Sequence, residues 1–136
     1  MQDLQKRHWS RRFALQALYQ WQIAHHSTDE LLSQYLDDEN WSKVDKDYFV
    51  ELLSESIHQS EQLSDALAPY SDTPIEQIDP IEKAILLFSA YELINKQEVP
   101  TKVILSEAVK LAKKFGSIEG YKFINGVLDK LAATRN

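Results

Sequence analysis

Apolar positions in this chain recur at helical rather than strand spacing. Ala14, Ala17, Leu18 and Trp21 fall at i, i+3, i+4 and i+7, the buried stripe of a helix expected from about Gln5 to about His25. The other face of that helix carries Arg12, Gln16 and Tyr19. Ser27 with Glu30 three residues on reads as a capping box, opening a second helix that should end near Asp38. After a loop around Asn40, the residues Tyr48, Leu52, Ile57, Leu63 and Leu67 mark one long amphipathic helix from Asp45 to Ala68, stopped by Pro69. Thr73-Pro74-Ile75-Glu76 and Asp79-Pro80-Ile81-Glu82 then repeat one device: a cap, a proline at the first helical position and an acid two residues later. The first should open a short helix and the second a full one reaching about Asn95. That full helix is apolar nearly all round, which places it at the centre of a bundle and makes Glu92 a carboxylate that has to be paired, hydrogen-bonded or at an edge. Pro100 opens a further helix with Ile104, Ala108, Leu111, Ala112 and Phe115 on its buried stripe. Gly116 is expected as its left-handed stop, and Ser117 as the cap of a last helix running to about Ala133. No stretch alternates with period two, and three glycines leave little material for hairpin turns. The pattern therefore predicts an all-α fold, a single-domain bundle of six or seven helices spanning residues 1–136.

Composition agrees with one globular domain: 43% of residues are hydrophobic and 26% charged. The absence of cysteine removes disulfides, thiolate metal sites and a cysteine nucleophile, as suits a reducing compartment. No apolar run approaches the roughly 20 residues of a membrane span. The opening Met1-Gln2-Asp3-Leu4 is too polar for a signal peptide, so a cytoplasmic protein without membrane attachment is expected.

Charge changes the picture more than composition does. The net charge of −6 argues against general affinity for nucleic acid, yet it is unevenly spread. Residues 1–26 carry four cations against one acid, residues 27–82 carry two against fifteen, and residues 83–136 carry nine against five, giving +3, −13 and +4. Two basic ends flank an acidic middle. Folding that brings the ends together makes one positive face, leaving the acidic segment as a solvated surface or as a contact for a basic protein.

Candidate chemistry sits in those ends. Arg7 and Arg11 are spaced i, i+4, as are His8 and Arg12, with Trp9 between them, so cations and a ring share the start of one helix. At the other end, Lys113-Lys114-Phe115-Gly116 and Tyr121-Lys122-Phe123-Ile124-Asn125-Gly126 mix lysines, aromatic rings and a side-chain amide where two helices meet. Cations neutralise phosphates and flat rings stack on unpaired bases, so both clusters suit single-stranded RNA. The plainer alternatives are a basic arm without a ligand and an aromatic core helix with solvated lysines. Enzyme signatures are absent: His25 and His26 diverge by about 100° on a helix, and there is no zinc-binding histidine set, Gly-rich phosphate loop or nucleophile elbow. No catalytic residue, metal or cofactor is expected.

Four segments carry a family resemblance. Arg11-Arg12-Phe13-Ala14-Leu15-Gln16-Ala17-Leu18-Tyr19-Gln20-Trp21, Ile81-Glu82-Lys83-Ala84-Ile85-Leu86 leading to Tyr91-Glu92-Leu93, Val99-Pro100 through Lys102-Val103-Ile104 to Leu111-Ala112-Lys113, and Lys122-Phe123-Ile124-Asn125-Gly126-Val127-Leu128-Asp129 resemble, in order and spacing, the successive signatures of the NusB family. The resemblance spans nearly the whole chain. It implies an all-helical transcription antitermination factor that, with the small-subunit ribosomal protein NusE, binds boxA RNA in ribosomal RNA leader transcripts and helps RNA polymerase read through terminators. It leaves a monomer or a homodimer open.

Carried over residue by residue, the resemblance places the family's basic arm on Lys6, Arg7, His8 and Arg11 and its helix-one tyrosine on Tyr19, all as RNA contacts. Its Glu-Lys pair falls on Glu82 and Lys83, with Lys83 facing RNA, and Glu82, together with Tyr19, facing NusE. Its C-terminal turn and motif fall on Phe115, Lys122 and Phe123 as further RNA contacts, with Asn125-Gly126 expected in a structural role, capping or bracing the hairpin. The chain also departs from the family pattern. His8 and Trp9 stand where arginines are common, Arg12 where an acid is frequent, Leu87 in place of a frequent arginine and Ser106 in place of a frequent asparagine; Gly120 and Tyr121 replace polar residues. A similar domain fronts certain RNA cytosine methyltransferases, but 136 residues leave no room for their cofactor-binding part. The remaining alternative is a helical adaptor that binds protein through its acidic middle.

Overall fold

The computed structural model describes residues 2–135 as a helical bundle, with no strand among the described residues. Met1 and Asn136, the ends of the expected domain, lie outside the described residues. Seven α-helices follow in chain order: α1 (Gln2–Ala24), α2 (Thr28–Tyr35), α3 (Lys46–His58), α4 (Ser60–Leu67), α5 (Pro80–Asn95), α6 (Thr101–Phe115) and α7 (Gly120–Ala132). Short 3-10 turns at Trp41–Lys43, Ala68–Tyr70 and Ile75–Gln77 link them.

Local signals set most of the boundaries. The Ser27 hydroxyl accepts from the Glu30 N–H at 3.2 Å while the Glu30 carboxylate accepts from the Ser27 N–H at 3.1 Å, completing the capping box of α2. Asp79 accepts from the N–H groups of Ile81 and Glu82 at 2.8 and 3.3 Å, with Pro80 at the first helical position of α5. α1 stops at His25, whose φ of 56° is left-handed and whose N–H reaches the Trp21 carbonyl at 3.1 Å.

Besides shifts of three residues at the start of α1 and the end of α2, three features differ from the sequence expectation. The long helix from Asp45 to Ala68 is two helices, because Gln59 leaves helical geometry (φ −101°, ψ 16°) and re-aims α4 so that Leu63 and Leu67 are buried. Gly116 is not left-handed; its backbone is extended (φ −90°, ψ −173°), and glycine is needed because a Cβ would lie 2.8 Å from the Ala112 carbonyl oxygen. Ser117 does not cap α7, which begins at Gly120 with Glu119 at the cap position; the Ser117 hydroxyl, two residues earlier, donates to the Glu82 carboxylate at 2.9 Å.

α5 is the axis of the molecule. Every residue from Ala84 to Leu93 is buried, and the helix packs against α1, α3, α4, α6 and α7. On one side the rings of Phe13, Tyr35, Trp41 and Phe49 meet edge-on, tilted or stacked at centroid separations of 5.1 to 6.2 Å, joining α1, α2, α3 and the turn between them. On the other side α6 and α7 form an antiparallel-type hairpin against α5 and α4. Among the described residues no helix is long and apolar enough to cross a membrane.

Candidate nucleic-acid interface

α1 and α6 lie side by side on the surface of the bundle, each held mainly by other helices: α1 by α3 and α5, α6 by α5 and α7. Side chains bridge the seam. His8 Nδ1 is 2.8 Å from Glu107 Oε1, and one turn further on the Arg12 guanidinium stands 5.1 Å above the Phe115 ring. Since 8 pairs with 107 and 12 with 115, the two helices run in the same direction. Where they diverge, toward their N-terminal ends, an open groove of about 1040 Å³ separates them.

The structure sorts the residues of the expected basic arm into different environments. Lys6 is exposed on the groove and His8 is one-third exposed at its wall. Arg7 turns toward α3, where its guanidinium lies 4.1 Å from the centre of the Tyr48 ring and 3.8 Å from Asp45. Arg11, expected as an RNA contact, is instead an internal residue. Its Nε and Nη2 donate to the Glu92 carboxylate at 2.9 and 2.7 Å, and its side chain is 2% exposed against 1% for Glu92. Tyr48 donates its hydroxyl to the same carboxylate, and Glu107 lies 3.6 Å from Arg11 Nη1. Burial alone would depress the guanidinium pKa, but hydrogen bonding and charge from Glu92 outweigh it and raise the pKa, so Arg11 is held charged. It has no face toward a phosphate.

At the far end of the seam the helices converge on the start of α5. Gln22 donates to the Pro80 carbonyl at 2.9 Å, which sets Tyr19, one turn earlier on the same strip of α1 and 39% exposed, beside the first turn of α5. Lys83 is half-buried on that turn. Glu82 points inward: it is 8% exposed, holds Ser117, and fills the space beside Gly120, where a Cβ would lie 2.4 Å from Glu82 Oε2. Within the chain Glu82, expected as a NusE contact, acts as a brace between α5 and the α6–α7 turn. Phe115 and Phe123 are half-buried, while Lys122 is exposed and pairs with Glu119 at 2.9 Å. Asn125 and Gly126 do not brace the hairpin; both are exposed on α7, and a Cβ on Gly126 would meet nothing within 4 Å.

Three groove lysines were not among the sequence candidates: Lys43, Lys102 and Lys110. The last two carried a readable signal, since Lys102, Ser106 and Lys110 fall at i, i+4 and i+8 on the polar strip of α6. Lys43 carried none, because only the fold brings the Trp41–Lys43 turn to α1, where its ammonium stands 4.9 Å from the centre of the Trp9 ring.

Comparison with known proteins gives this arrangement its relatives. The NusB family model matches residues 8–133. Transcription antitermination protein NusB of Alcanivorax borkumensis is 45% identical over 123 residues, covering 90% of this chain and 82% of that protein. The protein of the same name from Pseudomonas entomophila is 46% identical over 127 residues, covering 93% and 76%. Among solved structures, NusB of T. maritima superimposes with a TM-score of 0.85 at 22% identity, covering 95% of this chain and 92% of that one. A crystal structure of the antitermination factors NusB and NusE in complex with double-stranded RNA includes a chain that matches with a TM-score of 0.79 at 20% identity, covering 94% and 96%. The family match takes in all four of the sequence segments described above, and the chain belongs to the NusB family.

Proposed function

We propose that this protein is a transcription antitermination factor that binds single-stranded boxA RNA of ribosomal RNA leader transcripts together with the ribosomal protein NusE, and promotes read-through by RNA polymerase in the cytoplasm. The observation that carries this reading is the close identity, across nearly the whole chain, to relatives named as transcription antitermination proteins. The arrangement of the candidate RNA contacts supports the reading. Lys6 and His8 at one end of α1, and Tyr19 with Lys83, Lys122 and Phe123 near the other, lie along the edge where α1, α5, α6 and α7 meet. Lysines there meet phosphates without reading sequence, while Tyr19 and the half-buried Phe123 offer aromatic surface to unpaired bases.

NusE enters as a second ligand whose binding and that of RNA favour one another, so the coupling has to be reciprocal. Fluorescence anisotropy of a labelled boxA RNA and a scrambled control, with and without NusE and at two salt concentrations, tests the reading. Selective binding that NusE strengthens and salt weakens is the expected result. Weak, unselective binding that NusE leaves unchanged would return the protein to the class of helical adaptors.

A further inference from the structure

Glu82 is a buried acid without a cation. Among the described residues no lysine, arginine or histidine pairs with its carboxylate. The α6–α7 turn supplies what the cation does not. The Ser117 hydroxyl donates to Oε2 at 2.9 Å, and Oε2 lies so close to Gly120, the first residue of α7, that a Cβ there would overlap it. α7 has no side-chain cap, and Glu119, at its cap position, turns outward to Lys122 at 2.9 Å. The interior negative charge at the start of α7 therefore comes from α5, and the partial positive charge of a helix N-terminus favours it there. The second oxygen, Oε1, accepts no hydrogen bond within the described residues and is not sealed from solvent.

One carboxylate thus stands between two surfaces. Phe115 ends α6, and Lys122 and Phe123 lie in the first turn of α7, so the side chains expected to meet RNA here occupy both flanks of a turn that Glu82 holds. On its other side Glu82 belongs to the first turn of α5, next to Lys83 and near Tyr19, where the family resemblance puts the contact with NusE.

We propose that Glu82 is a positioning residue that couples the two ligands. A donor group of NusE that engages Oε1 holds the carboxylate against Ser117 and Gly120, which fixes the α6–α7 turn in the arrangement that RNA binds. RNA bound on that turn in return presents Glu82 to NusE. The inference rests on the RNA and NusE reading given above. The Ser117–Glu82 bond touches neither ligand in this scheme, so losing it acts on how much each ligand strengthens the other, and linkage requires those two enhancements to be equal.

The test compares the full chain with its Ser117→Ala and Gly120→Ala variants. The first deletes the donor, and the second places a methyl group where Oε2 lies and displaces the carboxylate. Both keep Glu82, Lys83, Tyr19, Lys122 and Phe123. For each protein the Kd of labelled boxA RNA is measured with and without saturating NusE, and that of labelled NusE with and without saturating RNA. In the unaltered protein each ligand should tighten the other by the same factor, within the about 5–150-fold range usual for coupled sites. Both variants should lose at least about threefold of that factor while the Kd of either ligand alone changes less than about twofold. Should Gly120→Ala fail to fold, Ser117→Ala decides alone. A coupling factor that survives in the variants overturns the proposal, whether the separate affinities are unchanged or weakened, because the brace then supports one surface without linking two. An unaltered protein whose RNA affinity NusE leaves unchanged overturns the reading on which the proposal rests.

Discussion

Arg11 shows how one residue can be legible in sequence and still be misassigned. Its i, i+4 spacing from Arg7 suggests a cationic arm, yet Arg11, Ala14 and Leu18 also fall at i, i+3 and i+7, on the stripe that the structure buries. The second pattern wins because the opposite wall offers Glu92, a carboxylate that the apolar central helix cannot leave alone. That Glu92 needed a partner was readable from the residues around it; which partner was not, because the pair is 81 residues apart in the chain. A buried pair of this kind has large and opposed terms, so its members should be far from additive. Removing one partner leaves an uncompensated internal charge, and Arg11→Met or Glu92→Leu alone should each destabilise the protein by about 3–5 kcal/mol, whereas the double replacement costs much less. Urea denaturation of the four proteins measures this directly. Single replacements costing under about 1 kcal/mol would mean that the pair is not isolated from water as the structure places it.

At the scale of elements, apolar periodicity and capping signals together marked where the helices lie, but periodicity is blind to a one-residue interruption. The apolar stripe continues through Leu52, Ile57 and Leu63 while the backbone breaks at Gln59, so α3 and α4 read as one helix. The α6–α7 turn was hidden for another reason: Ser117 is placed by Glu82, a contact that exists only after α5 has packed. α7 contains the opposite case, a residue whose helical environment asks nothing of it. Gly126 lies mid-helix and exposed, with open space where a side chain would be, and its neighbour Asn125 is exposed too. Glycine there costs helix stability with no packing gain inside the chain. Gly126→Ala should therefore stabilise the free protein by about 0.5–1 kcal/mol, seen as a raised thermal midpoint. A destabilised variant would show that the bare backbone at this position serves the fold. Stabilisation accompanied by weaker RNA binding would place its use at the surface, next to Lys122 and Phe123.

For the molecule as a whole, two seams are tied by three tyrosine hydroxyls: Tyr35 to Gln20 between α2 and α1 at 2.8 Å, and, across the α3–α5 seam, Tyr48 to Glu92 and Tyr91 to Glu51, the latter at 2.5 Å. Burial pushes the Tyr35 phenol up to about 12, with Asp38 adding to the shift. Burial and then Glu92 push Tyr48 higher still, and burial with Glu51 raises Tyr91. These groups are neutral when protonated, so a raised folded-state pKa means that the native protein keeps protons which the unfolded chain gives up above about pH 10. Below that value the contribution is complete. Above it the unfolded state binds fewer protons, the derivative of stability with pH turns negative, and each such tyrosine removes at most about 1.4 kcal/mol per pH unit until its folded pKa is reached. The bundle should accordingly lose stability steeply from about pH 10 to about pH 12, with phenolate absorbance of these residues rising together with the loss of helical circular dichroism rather than before it. Replacing Tyr35 with Phe removes one hydrogen bond but also one titrating group, so the variant should be less stable at neutral pH and show a shallower alkaline decline. A decline with the same slope in that variant, or phenolate absorbance that rises fully while the helices persist, would show that these hydroxyls ionise without opening the seams they join.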